Sequence, residues 1–268
     1  MLQLASMSLF AFLVGIVSSM IGVGGGFLIV PILVLVYAFP THLAVGTSAV
    51  MIIFTALAST FAYTRQRRID YKLGLILATG SIPGAALGAY ATSFVSTKEL
   101  ASLFGVFLIA VAARMLIAPT GEKEQKKSRT WAWSRSIRDA QGQVFQYEAN
   151  MLPGLVLSLL AGFSSGFFGV GGGAVMVPVM VLVMTIPMHI AVATSMFIMI
   201  FTSLSAASTH ILLGNVLAES AIALGTGIVF GTQVGAFTAR RLKARSLQKV
   251  FAVFLIVIGA RMALQYFS

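Results

Sequence analysis

The chain contains no cysteine. That removes disulfides, thiolate metal sites and thiol nucleophiles together. Charge is almost as scarce. Only 9% of the residues are Asp, Glu, Lys or Arg, against roughly 25% in an ordinary soluble domain, so water cannot solvate most of this surface. Acidic groups are fewest, and Asp70, Glu99 and Glu219 all stand at the ends of apolar segments. With no carboxylate deep in an apolar run, carboxylate proton relays and buried divalent-cation sites are disfavoured. There is no His-Glu-x-x-His. Gly162-Phe163-Ser164-Ser165-Gly166 matches the Gly-x-Ser-x-Gly pattern, but without the strand-turn-helix context that gives it meaning. We expect neither an enzyme nor a cofactor.

What is abundant is apolar length. Hydrophobic residues make up 58% of the 268, in runs near membrane-spanning size. The net charge of +11 does not indicate nucleic acid. The basic residues lie in short clusters between apolar runs, as in cytoplasmic loops beside anionic lipid, and form no basic face. Met1 to Met20 lacks a basic leader and an Ala-x-Ala site, so it reads as a retained first segment.

The sequence repeats itself. Gly22-Val23-Gly24-Gly25-Gly26 recurs 147 residues on as Gly169-Val170-Gly171-Gly172-Gly173. The same spacing pairs Pro31 with Pro178, Pro40 with Pro187, His42 with His189, and Thr47-Ser48 with Thr194-Ser195. It also pairs Gly80, Gly84 and Gly88 with Gly227, Gly231 and Gly235. Ungapped identity over such a distance indicates tandem duplication. Residues 1–118 form a first membrane repeat and 151–268 a second. Between them, 119–150 is a polar cytoplasmic connector, read as a tethering loop, whose Trp131 and Trp133 suit the headgroup level.

The fold class expected is all-α integral membrane. Apolar segments run over Leu4–Ile21, Phe27–Ala38, His42–Tyr63, Leu73–Ala91 and Leu100–Ile117. The second, as a helix, reaches only ~18 Å of the ~30 Å hydrocarbon core. With the first it makes a glycine-broken hairpin, either re-entrant or fully spanning, followed by three longer helices. An odd number of crossings per half inverts the second half. The clusters Arg65–Lys72, Arg114–Arg138 and Arg240–Lys249 then share one side with all but Lys98 and Arg261 of the 18 basic residues. The positive-inside rule makes that side cytoplasmic in a bacterial-type inner membrane and puts both termini outside.

The candidate site follows from the breaks. Glycine permits positive φ and close backbone approach, and a helix starting after a break aims unpaired N–H groups and its positive dipole end at it. Two such ends from inverted halves suit a small anion. Gly24, Gly25 and Gly26 with Gly171, Gly172 and Gly173 are the backbone candidates. Thr47, Ser48, Thr194 and Ser195 are hydroxyl candidates, equally readable as helix-packing groups. Gln233, an amide in an apolar helix, either bonds a neighbouring helix or faces the pathway. His42 and His189 read as caps, and the Gly80 and Gly227 series as close-packing faces.

The run Gly-Val-Gly-Gly-Gly-x4-Pro, then His-x-Ala-Val-x-Thr-Ser, then Gly214-Asn215-Val216 resembles the sulfite exporter TauE/SafE family of membrane permeases over nearly the whole chain. The first half departs from it, with Arg68-Ile69-Asp70 in place of Gly214-Asn215-Val216. The resemblance implies transport of sulfite, sulfoacetate or related organosulfur anions. The residues themselves imply only a small anion, and leave a non-transporting membrane scaffold as the alternative.

Overall fold

A computed structural model describes residues 2–21, 24–117, 132–238 and 255–264. Gly22, Val23, the connector's basic stretch with Trp131, and the Arg240–Lys249 cluster lie outside the described residues. The first half comprises α1 (Leu2–Ile21), α2 (Gly26–Leu35), α3 (Thr41–Arg65), α4 (Tyr71–Ala91) and α5 (Thr97–Ile117). In the second, α6 (Met151–Phe168) precedes α7 (Gly173–Pro178), a π turn (Val179–Val183), α8 (Met188–Leu212) and α9 (Ala218–Thr238). A further helical stretch covers 255–264. Four of these helices are long and apolar enough to cross a membrane among the described residues: those over Thr41–Arg65, Tyr71–Phe94, Met151–Phe168 and Met188–Leu212.

Local chemistry fixes the helix ends. Pro40 and Pro187 precede α3 and α8 at φ −52° and −55°, in the extended geometry that proline favours before a helix start. Asp70 caps α4 by accepting from the Leu73 N–H. At α5, Glu99 accepts the Ser96 N–H while the Ser96 hydroxyl accepts the Glu99 N–H, a reciprocal capping box. After Pro178, which offers no N–H, the helix loosens into the π turn.

Helices pack through glycine. Side chains at Gly80, Gly84 and Gly88 of α4 would run into α6 at Leu155, Leu159 and Phe163. Those at Gly227, Gly231 and Gly235 of α9 would run into α1 at Ser8, Phe12 and Ile16. Close backbone contact of this kind is how helices associate where lipid gives no hydrophobic drive. Since residue numbers rise together in both pairings, α1 runs parallel to α9, and α4 to α6. Gly162 and Gly166 likewise abut Ser81 and Ala85, so the Gly-x-Ser-x-Gly match has a packing role. Leu9, Leu13, Phe61, Leu87 and Phe230 face outward, as a lipid-facing surface requires.

The all-helical expectation needs one correction. The connector's second part is an antiparallel hairpin, β1 (Ala132–Arg138) with β2 (Val144–Asn150). Along β2, Phe145, Tyr147 and Ala149 are buried while Val144, Gln146 and Glu148 are exposed. That period of two is the mark of a half-buried strand. The inward face packs with Leu73, Met184, Ile186 and Ile190, so this part is a docked element rather than a loose tether.

Candidate functional site

The two glycine breaks meet. Gly24 and Gly25 have φ of 89° and 83°, and Gly171 and Gly172 have 82° and 75°, a left-handed conformation that side chains disfavour. A side chain at Gly26 would strike the Gly169 carbonyl, and the Val170 Cα stands 2.9 Å from the same point. The Ser48 hydroxyl stands at this junction, 2.7 Å from the Gly169 carbonyl and 2.8 Å from the Val45 carbonyl. One half's serine therefore binds the other half's break.

Around the second break lies a small cavity lined by Gly171, Gly172, Gly173, Ser195, Ser81 and Thr202. About 10 Å³ is open to the centre of a water-sized sphere, room for about one water. The cavity as it stands is too small for an anion larger than that. Ser195 donates to the Val192 carbonyl at 2.8 Å, and Ser81 and Thr202 share a hydrogen bond of 2.8 Å. Sequence reasoning missed Ser81 altogether, although serine where the repeat has Ile228 was a visible asymmetry.

The remaining candidates lie elsewhere. Thr47 accepts the Leu217 N–H at 3.1 Å, and Thr194 accepts the Asp70 N–H at 3.0 Å. Each threonine thus holds the start of the other half's fourth helix. Gln233 donates to the Ala58 carbonyl at 3.1 Å on an exposed outer groove with Ser8 and Phe230, away from the glycine cavity. His42 Nε2 is 3.0 Å from both the Thr92 and Val95 carbonyls, and its Nδ1 is 3.2 Å from Thr97 Oγ1. Two carbonyl acceptors require a proton on Nε2, and the ring fastens the start of α3 to the turn before α5. Tyr63 and His210, equivalent in the repeat, bond the carbonyls of Ser19 and Gly166.

A second polar cluster stands at the start of α4. Asp70 is fully buried, and Arg135 grips its carboxylate from Nε and Nη2 at 2.8 and 2.7 Å. Tyr147 donates to the same carboxylate at 2.6 Å. Burial alone would raise the Asp70 pKa, but hydrogen bonds from Arg135, Tyr147 and the Leu73 N–H, with the Arg135 charge, hold it below the usual carboxylate range. A reciprocal pair, Arg68 to Asp139 at 3.1 Å, fastens the hairpin's turn, and the Ala140 N–H donates to the Gln66 carbonyl. The motif departure at Arg68 and Asp70 is therefore the hairpin's dock. At the strict repeat spacing the stretch aligns one residue earlier, Arg67-Arg68-Ile69 with Gly214-Asn215-Val216, so Arg68 and Asp70 correspond to Asn215 and Leu217, which carry no charge.

The chain is similar to known membrane transporters. The sequence profile described as "Sulfite exporter TauE/SafE" matches residues 7–262. The chain is 34% identical over 255 residues to the probable membrane transporter protein YunE of Bacillus subtilis, covering 92% of this chain and 93% of that one. It is 25% identical over 279 residues to a probable membrane transporter protein of Methanocaldococcus jannaschii, covering 98% and 97%. A probable membrane transporter protein of Xylella fastidiosa is 28% identical over 258 residues, covering 92% and 90%. No solved structure matches the chain.

Proposed function

We propose, given that the chain belongs to the sulfite exporter TauE/SafE family, that it is a secondary permease for a small anion such as sulfite or sulfoacetate. Such a chain is a multi-pass membrane transporter and not an enzyme. The observation that carries the anion reading is the meeting of the two left-handed glycine breaks between the halves. Irregular backbone inside a membrane protein is tolerated where it is buried in protein or lines a cavity. The N–H groups that follow Gly25 and Gly172, with the Ser48 and Ser195 hydroxyls, are the donors we assign to the anion, and no buried cation is needed.

Helix directions support inverted halves. Ser6 bonds Tyr37, so the start of α1 lies beside the end of α2. Gly26 lies beside Ile52, midway along α3, so α2 descends while α3 rises. A short turn at Gln66–Asp70 then reverses α4. By these three reversals α1 and α4 are antiparallel. Halves of one orientation would make α9 antiparallel to α1 as well, but it runs parallel to α1. The break's level at mid-α3 favours the re-entrant form of the hairpin. Alternating access would then rock one half against the other about the junction, with the basic loops cytoplasmic.

Reconstituted proteoliposomes test the reading directly. A sulfite gradient should drive saturable flux of radiolabelled sulfite above that of empty vesicles. A scaffold would give no flux for sulfite or sulfoacetate and would co-purify with a stoichiometric partner.

A further inference from the structure

The junction has two repeat-equivalent sides, and they are not alike. Beside Gly25, the point where a Cβ would stand meets Ile228 Cδ1 at 3.2 Å, Ser18 Oγ at 3.2 Å and Val14 Cγ1 at 3.4 Å. Beside Gly172, the same point meets the Ala161 carbonyl at 3.3 Å and Ser165 Cβ at 3.4 Å. At the repeat spacing, Ile228 corresponds to Ser81 and Val14 to Ala161. The two apolar branches that fill space beside Gly25 are therefore absent beside Gly172, and the cavity occurs there.

The hydroxyls follow the same asymmetry. Ser81, Ser195 and Thr202 line the cavity, and all three are buried. Behind Gly172, the Ser165 hydroxyl is buried without a partner. On the other side Thr55, the equivalent of Thr202, has its hydroxyl buried unpaired, and the residue equivalent to Ser81 is Ile228, which has no hydroxyl to offer. An unpaired buried hydroxyl costs free energy, and that of Ser165 lies 3.7 Å from the point where a Cβ would stand at Gly172, one of the glycines lining the cavity.

We infer that the cavity beside Gly172 is the anion subsite, with Ser81, Ser195 and Thr202 as hydroxyl donors, and that the side beside Gly25 is its apolar, filled counterpart. This rests on the permease reading. One chain then binds one anion, at the donors assigned after Gly172 and at Ser195, and on this narrower reading Gly25 and Ser48 hold the junction rather than the ligand. Hydroxyls turn about their C–O bonds, so groups now satisfied by Val192, Ile198 or each other can turn toward ligand oxygens as the cavity widens. Neutral donors around a small space suit a compact oxyanion.

The test uses the full chain in proteoliposomes, with radiolabelled sulfite under anaerobic conditions. Ser81→Ile and Ala161→Val copy the first half's apolar branches into the second. Each should cut uptake tenfold or more. Ser81→Ala should raise KM roughly tenfold, the loss expected for one buried hydrogen bond to a charged group, while Ser81→Thr should restore most of the affinity. The mirror variants Val14→Ala and Ile228→Val should keep the native KM. Thermal unfolding in detergent identifies any variant that merely misfolds, and if Ser81→Ile does, Ala161→Val decides. Native uptake by folded Ala161→Val and native KM in Ser81→Ala would overturn the subsite while leaving transport intact, as would equal losses in the mirror pair. Absence of flux for both sulfite and sulfoacetate from the unaltered protein would instead overturn the permease reading, and this subsite with it.

Discussion

Gly25→Val and Gly172→Val should each abolish sulfite uptake while the protein still inserts and purifies. Both positions hold a left-handed backbone, φ 83° and 75°, in which a β-branched residue costs about 1–3 kcal/mol of strain. Relief of that strain moves the start of α7 with its N–H groups beside the subsite, or the start of α2, where Gly26 packs on the Gly169 carbonyl at the junction. At Gly25 the loss is compounded by bulk, because Ile228, Ser18 and Val14 already crowd the site. Gly142→Val is the control. Its φ is 85°, the strain is of the same order, and only Arg138 lies within 4 Å of the added carbon. Uptake by Gly142→Val should stay near the native level. Full uptake by well-expressed Gly25→Val and Gly172→Val would reduce the breaks to a packing device.

Arg135→Ala should destabilise the protein more than Asp70→Asn. Removing Arg135 strands a fully buried carboxylate, and breaking a buried pair in this way costs about 3–5 kcal/mol. Asp70→Asn keeps a side-chain acceptor at the helix start, and the Arg135 it releases is partly exposed, so the loss should be nearer 1–3 kcal/mol. Melting temperature in detergent and trypsin cleavage after Arg138, the hairpin site that both variants keep, read the two effects. The pH dependence has a definite sign. A carboxyl held below its unfolded value contributes fully above that value, roughly pH 4. The contribution is lost as pH falls from there through the lowered folded value. Wild-type hairpin docking should therefore persist at mildly acidic pH and weaken only on stronger acidification. A protected hairpin and native melting temperature in Arg135→Ala would remove the ion pair from the docking.

The helices were legible because their boundaries are written in local chemistry. Pro40, Pro187, Asp70 and the Ser96–Glu99 box each stop or start a helix within a few residues of the apolar edges. The glycine runs were legible for the same reason, since positive φ is a local demand. Partners distant in sequence were not. Nothing local says that Thr47 is taken up by Leu217, or Thr194 by Asp70, and so the sequence left both open between ligand donor and helix packing. Gln233 was open between a neighbouring helix and the pathway, because an apolar run does not say which of its faces a residue takes; it bonds Ala58 of the neighbouring α3. The hairpin was obscured by the charge around it, although the Phe145, Tyr147, Ala149 alternation was there to read. Ser81 could have been found by asking where the two halves differ instead of where they agree.

The central claim is that two inverted halves bring their breaks to one junction, and paired cysteine labelling tests it most directly. Arg67 and Gly214 are equivalent positions in the turns after α3 and α8, both exposed and both left-handed at φ 54° and 73°. Nothing lies within 4 Å of a side chain added at Gly214, and Arg67 already carries one in that conformation. The chain has no native cysteine, so Arg67→Cys and Gly214→Cys each give a single reporter for a membrane-impermeant maleimide. We expect Arg67→Cys to label only from the cytoplasmic face and Gly214→Cys only from the opposite face. Labelling of both from the same face would mean parallel halves and would contradict the account.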